Sequence, residues 1–232
     1  MDSARRTSIG TGSVFLVATV TAVAAGELVP SLSGADFLEG PADHPHRLAA
    51  AALFYLIAAG TSVGIAIVLY PLLRTTNATL ALGAVVFRTI EAVFYTVAVV
   101  SLLSVLALGR QLATASPDDR ATIRVIADSL VSVREQSSLA GVIAFGTGAL
   151  MYYALFYRYR LVPRWLSGWG IAGVLLILIA CLLALFSGDP VTGYTLLILP
   201  IGIQEMVLAV WLLVKGFSGA GRRTRAGVQL SP

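Results

Sequence analysis

The sequence predicts an all-α fold: a polytopic membrane protein in which a bundle of six transmembrane helices carries one amphipathic helix on its outer face. Of 232 residues, 57% are hydrophobic and 12% are charged, and the mean hydropathy is +0.87. Soluble domains carry about 25% charged residues, so this composition cannot cover a water-soluble surface. Six apolar runs also approach or exceed the roughly 20 residues that a spanning helix needs.

The predicted spans are residues 9–29, 49–72, 80–108, 139–157, 166–186 and 193–214. Basic residues near span ends indicate orientation, because positive charge is retained in the cytoplasm. With the N-terminus inside, cytoplasmic segments hold ten basic residues and outer loops hold five, while Arg88 lies within a span. Both termini are therefore predicted to be cytoplasmic. Residues 1–217 form one domain in this interpretation, followed by a basic, disordered cytoplasmic tail at 218–232.

The first span has an alternative interpretation as a cleaved export signal. Arg5 and Arg6 precede the apolar run, and residues 22–24 (AVA) suit a signal-peptidase site. Cleavage would leave five helices. Apolar character continues through Leu28 and Val29, which favours a retained first helix.

The longest connection between spans predicts an amphipathic helix at about 116–137. Ser116 supplies an N-cap, Pro117 suits the first helical position, and two acids follow in the first turn. Apolar residues then recur every three or four positions, at Ile123, Ile126, Leu130 and Val133. Such a helix either lies on the outer membrane face or leads directly into the fourth span. The functional interpretation of this helix is a lid over a cavity. The simpler alternative is a solvated helix that packs one stripe onto the bundle.

Charged residues inside spans are the strongest functional indication, because each costs about 2.5–3.5 kcal/mol at mid-bilayer unless it is paired or wetted. Arg88 and Glu91 share one face of the third span, and Tyr95 continues that face by one turn. Glu205, preceded by Gln204, lies as deep in the sixth span as Glu91 does in the third. Antiparallel helices would therefore bring both carboxyl groups near the midplane.

Two roles remain open for this polar cluster. With both acids ionised its charge is −1, which a low dielectric disfavours, so one carboxyl group is expected to have a raised pKa, and a proton relay is the first hypothesis. Pro200 and Gly202 favour a helix kink that frees backbone carbonyls near Glu205, as in the broken helices of transporters. The simpler alternative, which we weight more heavily, is a structural ion pair that fixes helix register.

Other sites and partners have weaker signals. Asp43, His44 and His46 in the first outer loop form a weak metal candidate, and we expect no metal, no cofactor and no nucleic-acid partner, only the lipid bilayer. Cys181, the single cysteine, is expected in the core. Small-residue faces offer two surfaces for a homo-oligomer, although contact within the chain is the commoner use; they are Gly60 with Gly64, and Ala140 with Ala144 and Gly148.

Three stretches resemble one family of bacterial membrane proteins, the domain of unknown function 4386. They are residues 87–92 (FRTIEA), residues 161–170 (LVPRWLSGWG), and Glu205 followed by 207–217 (VLAVWLLVKGF). The resemblance spans nearly the whole chain and implies a six-helix protein of the bacterial plasma membrane with no established activity. Pro163 and Arg164, like the charged residues of the spans, fall where the family's pattern is turn-forming or polar.

The leading functional hypothesis is a non-enzymatic membrane protein that binds or moves a small ligand, ion or proton through the Arg88, Glu91 and Glu205 cluster. An intramembrane enzyme acting on a lipid-like substrate is the alternative, and a structural or sensory subunit is a third. Transport predicts a cavity that reaches the acids from one side. Catalysis predicts a lateral opening with a nucleophile, and a partner role predicts a fully packed core.

Overall fold

A computed structural model of the chain describes residues 3–29, 32, 37–38 and 45–218, and the regular structure in these residues is entirely helical. Each of the six long helices is long and apolar enough to cross a membrane, so the chain is a multi-pass integral membrane protein, as predicted. Of the predicted tail at 218–232, only Ser218 is among the described residues. The helices are α1 (Ser3–Leu28), α2 (Pro45–Leu73), α3 (Ala78–Leu112), α4 (Pro117–Tyr159), α5 (Arg164–Ser187) and α6 (Thr195–Val214), with a 3₁₀ turn Val191–Tyr194 before α6.

The six helices form a closed ring in chain order. Each helix packs against its neighbours in sequence, and α6 returns to pack against α1. Short connections after α2, α3, α4 and α5 make consecutive helices antiparallel. One end of the ring, which we name the terminal face, therefore holds the start of α1 and the end of α6. The other end, the distal face, holds the end of α1, the α3–α4 connection and the 3₁₀ turn.

Local sequence signals account for the helix ends. Asn77 caps α3 by accepting a hydrogen bond from the backbone N–H of Leu80. Ser116 caps α4 with Pro117 at the first helical position, as predicted, and accepts from the N–H of Asp119. Gly188 ends α5 with φ 78°, the left-handed conformation that glycine adopts without strain.

The predicted amphipathic helix is the first part of α4 and leads directly into the fourth span. At 43 residues α4 is about 64 Å long, and α3 at 35 residues is about 52 Å, so both extend beyond a bilayer core of about 30 Å. The stripe that packs against α3 differs from the predicted one. Ala127 is buried and Ile123 and Leu130 pack beside it, but Ile126 and Val133 are 47% and 45% exposed.

An aromatic cluster fills the ring on the side of the terminal face. Tyr152 and Tyr153 are fully buried with ring centroids 4.7 Å apart, and Phe15, Phe156 and Phe217 complete the cluster. Phe15 and Phe217 come from the two ends of the chain. The terminal half of the ring is therefore a packed core to which both chain ends contribute.

The first helix is part of this ring. Arg5 donates a hydrogen bond to the carbonyl of Leu213 at 2.7 Å and caps the end of α6, where free carbonyls favour a cation. Residues 22–24, considered above as a cleavage site, lie inside α1. Loss of α1 would open the ring between α2 and α6 and expose the core around Phe15.

Candidate functional site

A cavity of about 580 Å³ occupies the distal half of the ring. All six helices line it, and most of the lining side chains are small or apolar. Its inner end is at Arg88, Glu91 and Glu205, and its outer end is at Gly26 near the end of α1 and Thr192 in the 3₁₀ turn. Small-molecule sites usually measure about 300–1,000 Å³. The cavity thus has the size of a ligand site and leads from the distal face to the buried charges.

Arg88 and Glu91 form a buried ion pair. Both residues are at most 3% exposed, and Nη1 of Arg88 lies 3.0 Å from Oε2 of Glu91, an ionic contact without hydrogen-bond geometry. Ser62 of α2 donates its hydroxyl hydrogen to Glu91 Oε2 at 2.7 Å, and its carbonyl accepts from Nε of Arg88 at 3.3 Å. The guanidinium also lies over the Phe145 ring of α4, 4.9 Å from the centroid. The pair therefore joins α2, α3 and α4.

Glu205 reaches the same region from α6 but has no comparable partner among the described residues. It lines the cavity and lies within electrostatic range of Arg88 and Glu91. The hydroxyl of Thr19 in α1 lies beside its carboxyl group. That contact lacks hydrogen-bond geometry, since Glu205 Oε1 and Thr19 Oγ1 are both buried without a hydrogen-bond partner among the described residues. The inner end of the cavity thus contains one paired and one unpaired carboxyl group.

Tyr95 and Gln204, the other members of the predicted cluster, lie in different places. Tyr95 lines the cavity, and its ring packs so close to Gly141 that a Cβ there would lie 3.3 Å from the ring. Gln204 is fully buried and accepts a hydrogen bond from the Tyr153 hydroxyl at 2.6 Å. Its amide nitrogen donates to the carbonyl of Leu166 at 3.0 Å. Gln204 therefore ties α4, α5 and α6 together and is not among the residues that line the cavity.

Pro200 and Gly202 lie within α6, which stays helical through both residues. Proline has no N–H, so Pro200 leaves the Leu196 carbonyl without its usual helical donor. Gly202 lines the cavity, and a Cβ at this position would meet no atom within 4 Å. The kink itself stays a prediction, while the position of Gly202 accounts for open space near Glu205.

The metal candidate is described only in part. Asp43 and His44 lie outside the described residues, and His46, near the start of α2, is exposed. Within the described ranges no three His, Cys, Asp or Glu side chains are grouped to hold a metal ion. A metal role for this loop stays a prediction.

The predicted small-residue faces make contacts within the chain. Gly64 packs on α1, where a Cβ would lie 3.3 Å from Val14. Ala144 and Gly148 are buried, and Gly148 packs on α3 beside Phe87. Gly60 is exposed, and a Cβ there would meet no atom within 4 Å. A homo-oligomer stays a prediction.

Sequence reasoning did not identify Ser62, Thr19 or the aromatic residues Phe145 and Tyr55 as parts of the site. Thr19 and Ser62 each lie about half-way through a span, at the depth of the charged cluster. Depth along the span was therefore a signal that could have selected both hydroxyls. No pattern distinguishes Phe145 from the other apolar residues of the fourth span.

Comparison with known proteins gives a family and no function. The family described as domain of unknown function (DUF4386) matches residues 11–216, a range that begins within α1 and ends just after α6. No curated protein and no solved structure matches the chain. The matched range contains the ion pair, Glu205 and every residue that lines the cavity.

Proposed function

The chain belongs to the family described as domain of unknown function 4386, and we propose that it binds a small amphiphilic molecule in the cavity between its six helices. The cavity itself is the observation that carries the proposal. Unfilled space inside a packed bundle costs stability, because its walls lose contacts that side chains would otherwise make. A binding role explains why the distal half of the ring stays open while the terminal half is filled.

The lining of the cavity supports an amphiphilic ligand. Its walls are mainly apolar, as at Ala18, Ala22 and Ile201, and its charged groups are concentrated at the inner end, with Arg134 and Glu135 further along the wall. Pockets of this kind use apolar walls for affinity and a few polar groups for orientation. The ligand would therefore enter with its polar end towards Glu205 and leave its apolar part between the helices.

The aromatic cluster favours binding over conduction through an open pore. Tyr152, Tyr153 and Phe156 fill the ring between the charged residues and the terminal face, and each is fully buried. A ligand at Glu205 reaches the terminal face only if this core rearranges. Transport, if it occurs, would therefore proceed by alternating access, in which the terminal half opens after the distal half closes.

A hydrolytic role has less support in the described lining. Such a role needs a nucleophile that an adjacent base can deprotonate. Ser62 donates to Glu91, but that carboxylate is already neutralised by Arg88, which opposes uptake of the serine proton. No lining residue in the described part of the chain is a histidine or a cysteine.

A probe series in detergent solution tests the binding proposal. Cys181 is the single cysteine and is 1% exposed, so its reaction with a thiol-reactive fluorophore reports thermal unfolding. The probes are tetraphenylphosphonium, triphenylphosphine oxide and tetraphenylborate, which are cationic, neutral and anionic. At least one should raise the melting temperature, because a ligand at 100 times its Kd stabilises the fold by about 2.7 kcal/mol.

Two glycine variants provide the matched comparison. Gly202→Leu places a side chain at the cavity wall, whereas Gly60→Leu places one on an exposed helix face; neither new Cβ meets an atom within 4 Å. Both changes remove a helical glycine, so their effects on helix propensity are similar. The ligand shift should persist in Gly60→Leu and disappear in Gly202→Leu. Equal shifts in both variants, or no shift in wild type with any probe, would contradict the proposal.

A further inference from the structure

The inner end of the cavity has one more negative group than positive groups. Arg88 is the basic residue there, and Glu91 lies 3.0 Å from its Nη1 atom. The guanidinium also donates from Nε to the Ser62 carbonyl of α2 and lies over the Phe145 ring of α4. Glu205 remains without an ion pair among the described residues. An ionised carboxylate at this depth is costly unless a countercharge lies beside it.

We infer that the cavity takes a compact organic cation with an apolar body, such as an amine or onium ion, whose positive charge is bound by Glu205. This inference rests on the proposed function and names its ligand class. Arg88 lies within electrostatic range of Glu205 but is paired with Glu91, and the bound cation supplies a countercharge directly at Glu205. The same arrangement disfavours an anion at the inner end, where it would meet the two carboxyl groups of Glu91 and Glu205 and one arginine that is already paired.

The surroundings of Glu205 also suit a cation of this type. Tyr55 and Tyr95 line the cavity with aromatic rings, and the faces of such rings attract cations. The Phe145 ring is already covered by Arg88. Ala18 and Gly202 leave space beside the carboxyl group for an apolar body. Affinity would come from these walls, and charge selection would come from Glu205.

Isothermal titration calorimetry with two ions of nearly the same shape and opposite charge tests the inference. Wild type should bind tetraphenylphosphonium at least about tenfold more tightly than tetraphenylborate. Glu205→Gln should weaken tetraphenylphosphonium binding by about tenfold or more and should not weaken tetraphenylborate binding. Glu205→Asp keeps the charge and should retain cation binding within a few fold of wild type. Glu27→Gln, at an exposed acid outside the cavity lining, should bind like wild type.

The possible failures are distinguishable. If tetraphenylborate or triphenylphosphine oxide binds as tightly as the cation, or if Glu205→Gln keeps full cation affinity, the ligand class is wrong. The proposed function survives that result provided that Gly202→Leu still abolishes binding. If no probe binds wild type, both the ligand class and the proposed function are wrong. Loss of cation binding in Glu205→Asp together with a lower melting temperature would assign Glu205 to folding and also overturn the inference.

Discussion

Glu91→Gln should destabilise the protein strongly, because it leaves Arg88 buried without its ionic partner. Arg88 is 2% exposed, and in the variant its side chain would keep a hydrogen bond to the Ser62 carbonyl and the contact with the Phe145 ring. Removing one member of a buried pair costs about 3–5 kcal/mol, and an unpaired charge at mid-bilayer costs about 2.5–3.5 kcal/mol. The amide oxygen of the introduced glutamine can still accept the Ser62 hydrogen bond, so we expect the lower part of this range, about 3 kcal/mol.

Thermal unfolding reported by labelling of Cys181 measures this loss. For a protein of this size, 1 kcal/mol corresponds to about 2–4 °C, so the melting temperature should fall by about 6–12 °C. Glu205→Gln is the matched control, because it makes the same chemical change at the same depth. It should leave the melting temperature unchanged or raise it slightly, since it removes a carboxyl group with no ion-pair partner among the described residues.

Equal falls in the two variants would refute the assignment of Arg88 to Glu91 and would mean that the arginine is shared between both acids. A double substitution gives an independent check. Arg88→Met combined with Glu91→Leu removes both charges, and replacing a whole buried pair by apolar side chains is often neutral. The double variant should therefore melt well above Glu91→Gln. If it melts lower, the contacts of Ser62 and Phe145 with the pair matter more than the charge balance.

Access to the cavity and packing of the core give two further predictions. Gly202→Cys should react with a membrane-impermeant thiol reagent added on the distal side, while native Cys181 stays unlabelled. Reaction only from the terminal side would contradict an opening of the cavity at the distal face. The same experiment in oriented vesicles tests whether the distal side is the outer one, as the basic residues predict. Gly170→Ala should lower stability by about 1–3 kcal/mol, because its Cβ would lie 2.5 Å from the buried Tyr153 ring, whose hydroxyl is fixed by a hydrogen bond. Gly193→Ala, with no atom within 4 Å of the new Cβ, should melt like wild type, and equal losses in the two variants would mean that the clash is relieved elsewhere.

The membrane explains why the architecture was predictable from sequence. Each span needs a long apolar run with internally satisfied backbone hydrogen bonds, so helix number follows from composition without knowledge of packing. The start of α4 was predictable because Ser116 and Pro117 act on their own helix end. The ion pair of Arg88 and Glu91 was predictable for a similar reason, since residues three apart lie on one helix face.

Helix rotation was harder to predict, because it depends on residues distant in sequence. In the first part of α4 the apolar positions allow two stripes, and the predicted one contained Ile126 and Val133. The helix instead turns Ala127 inward, where it packs in one cluster with Phe37 and Leu38, which precede α2. The spacing of apolar residues within α4 does not show which face of the helix a neighbouring segment will cover.

The same limit applies to Gln204 and Glu205, which are adjacent in sequence and were grouped in one predicted cluster. Neighbouring residues on a helix point about 100° apart, so adjacency in sequence does not place both side chains in the same surroundings. The rotation of α6 is set by the hydrogen bonds of Gln204 with Tyr153 and Leu166. Those bonds fix Gln204 in the core and thereby direct Glu205 into the cavity.

The two halves of the ring differ in the size of the side chains that face the interior. On the terminal side, large aromatic residues of α4 such as Tyr152 and Phe156 fill the interior. On the distal side, α1 and α6 present Ala18, Ala22 and Gly202 to the interior, and the space remains open. A leucine at such a position would fill apolar space and gain stability, so the small residues favour ligand access over stability. Glu205 at the end of this space, without an ion-pair partner among the described residues, also favours binding over stability. Its burial costs stability when the cavity is empty, and a cation beside it offsets that cost.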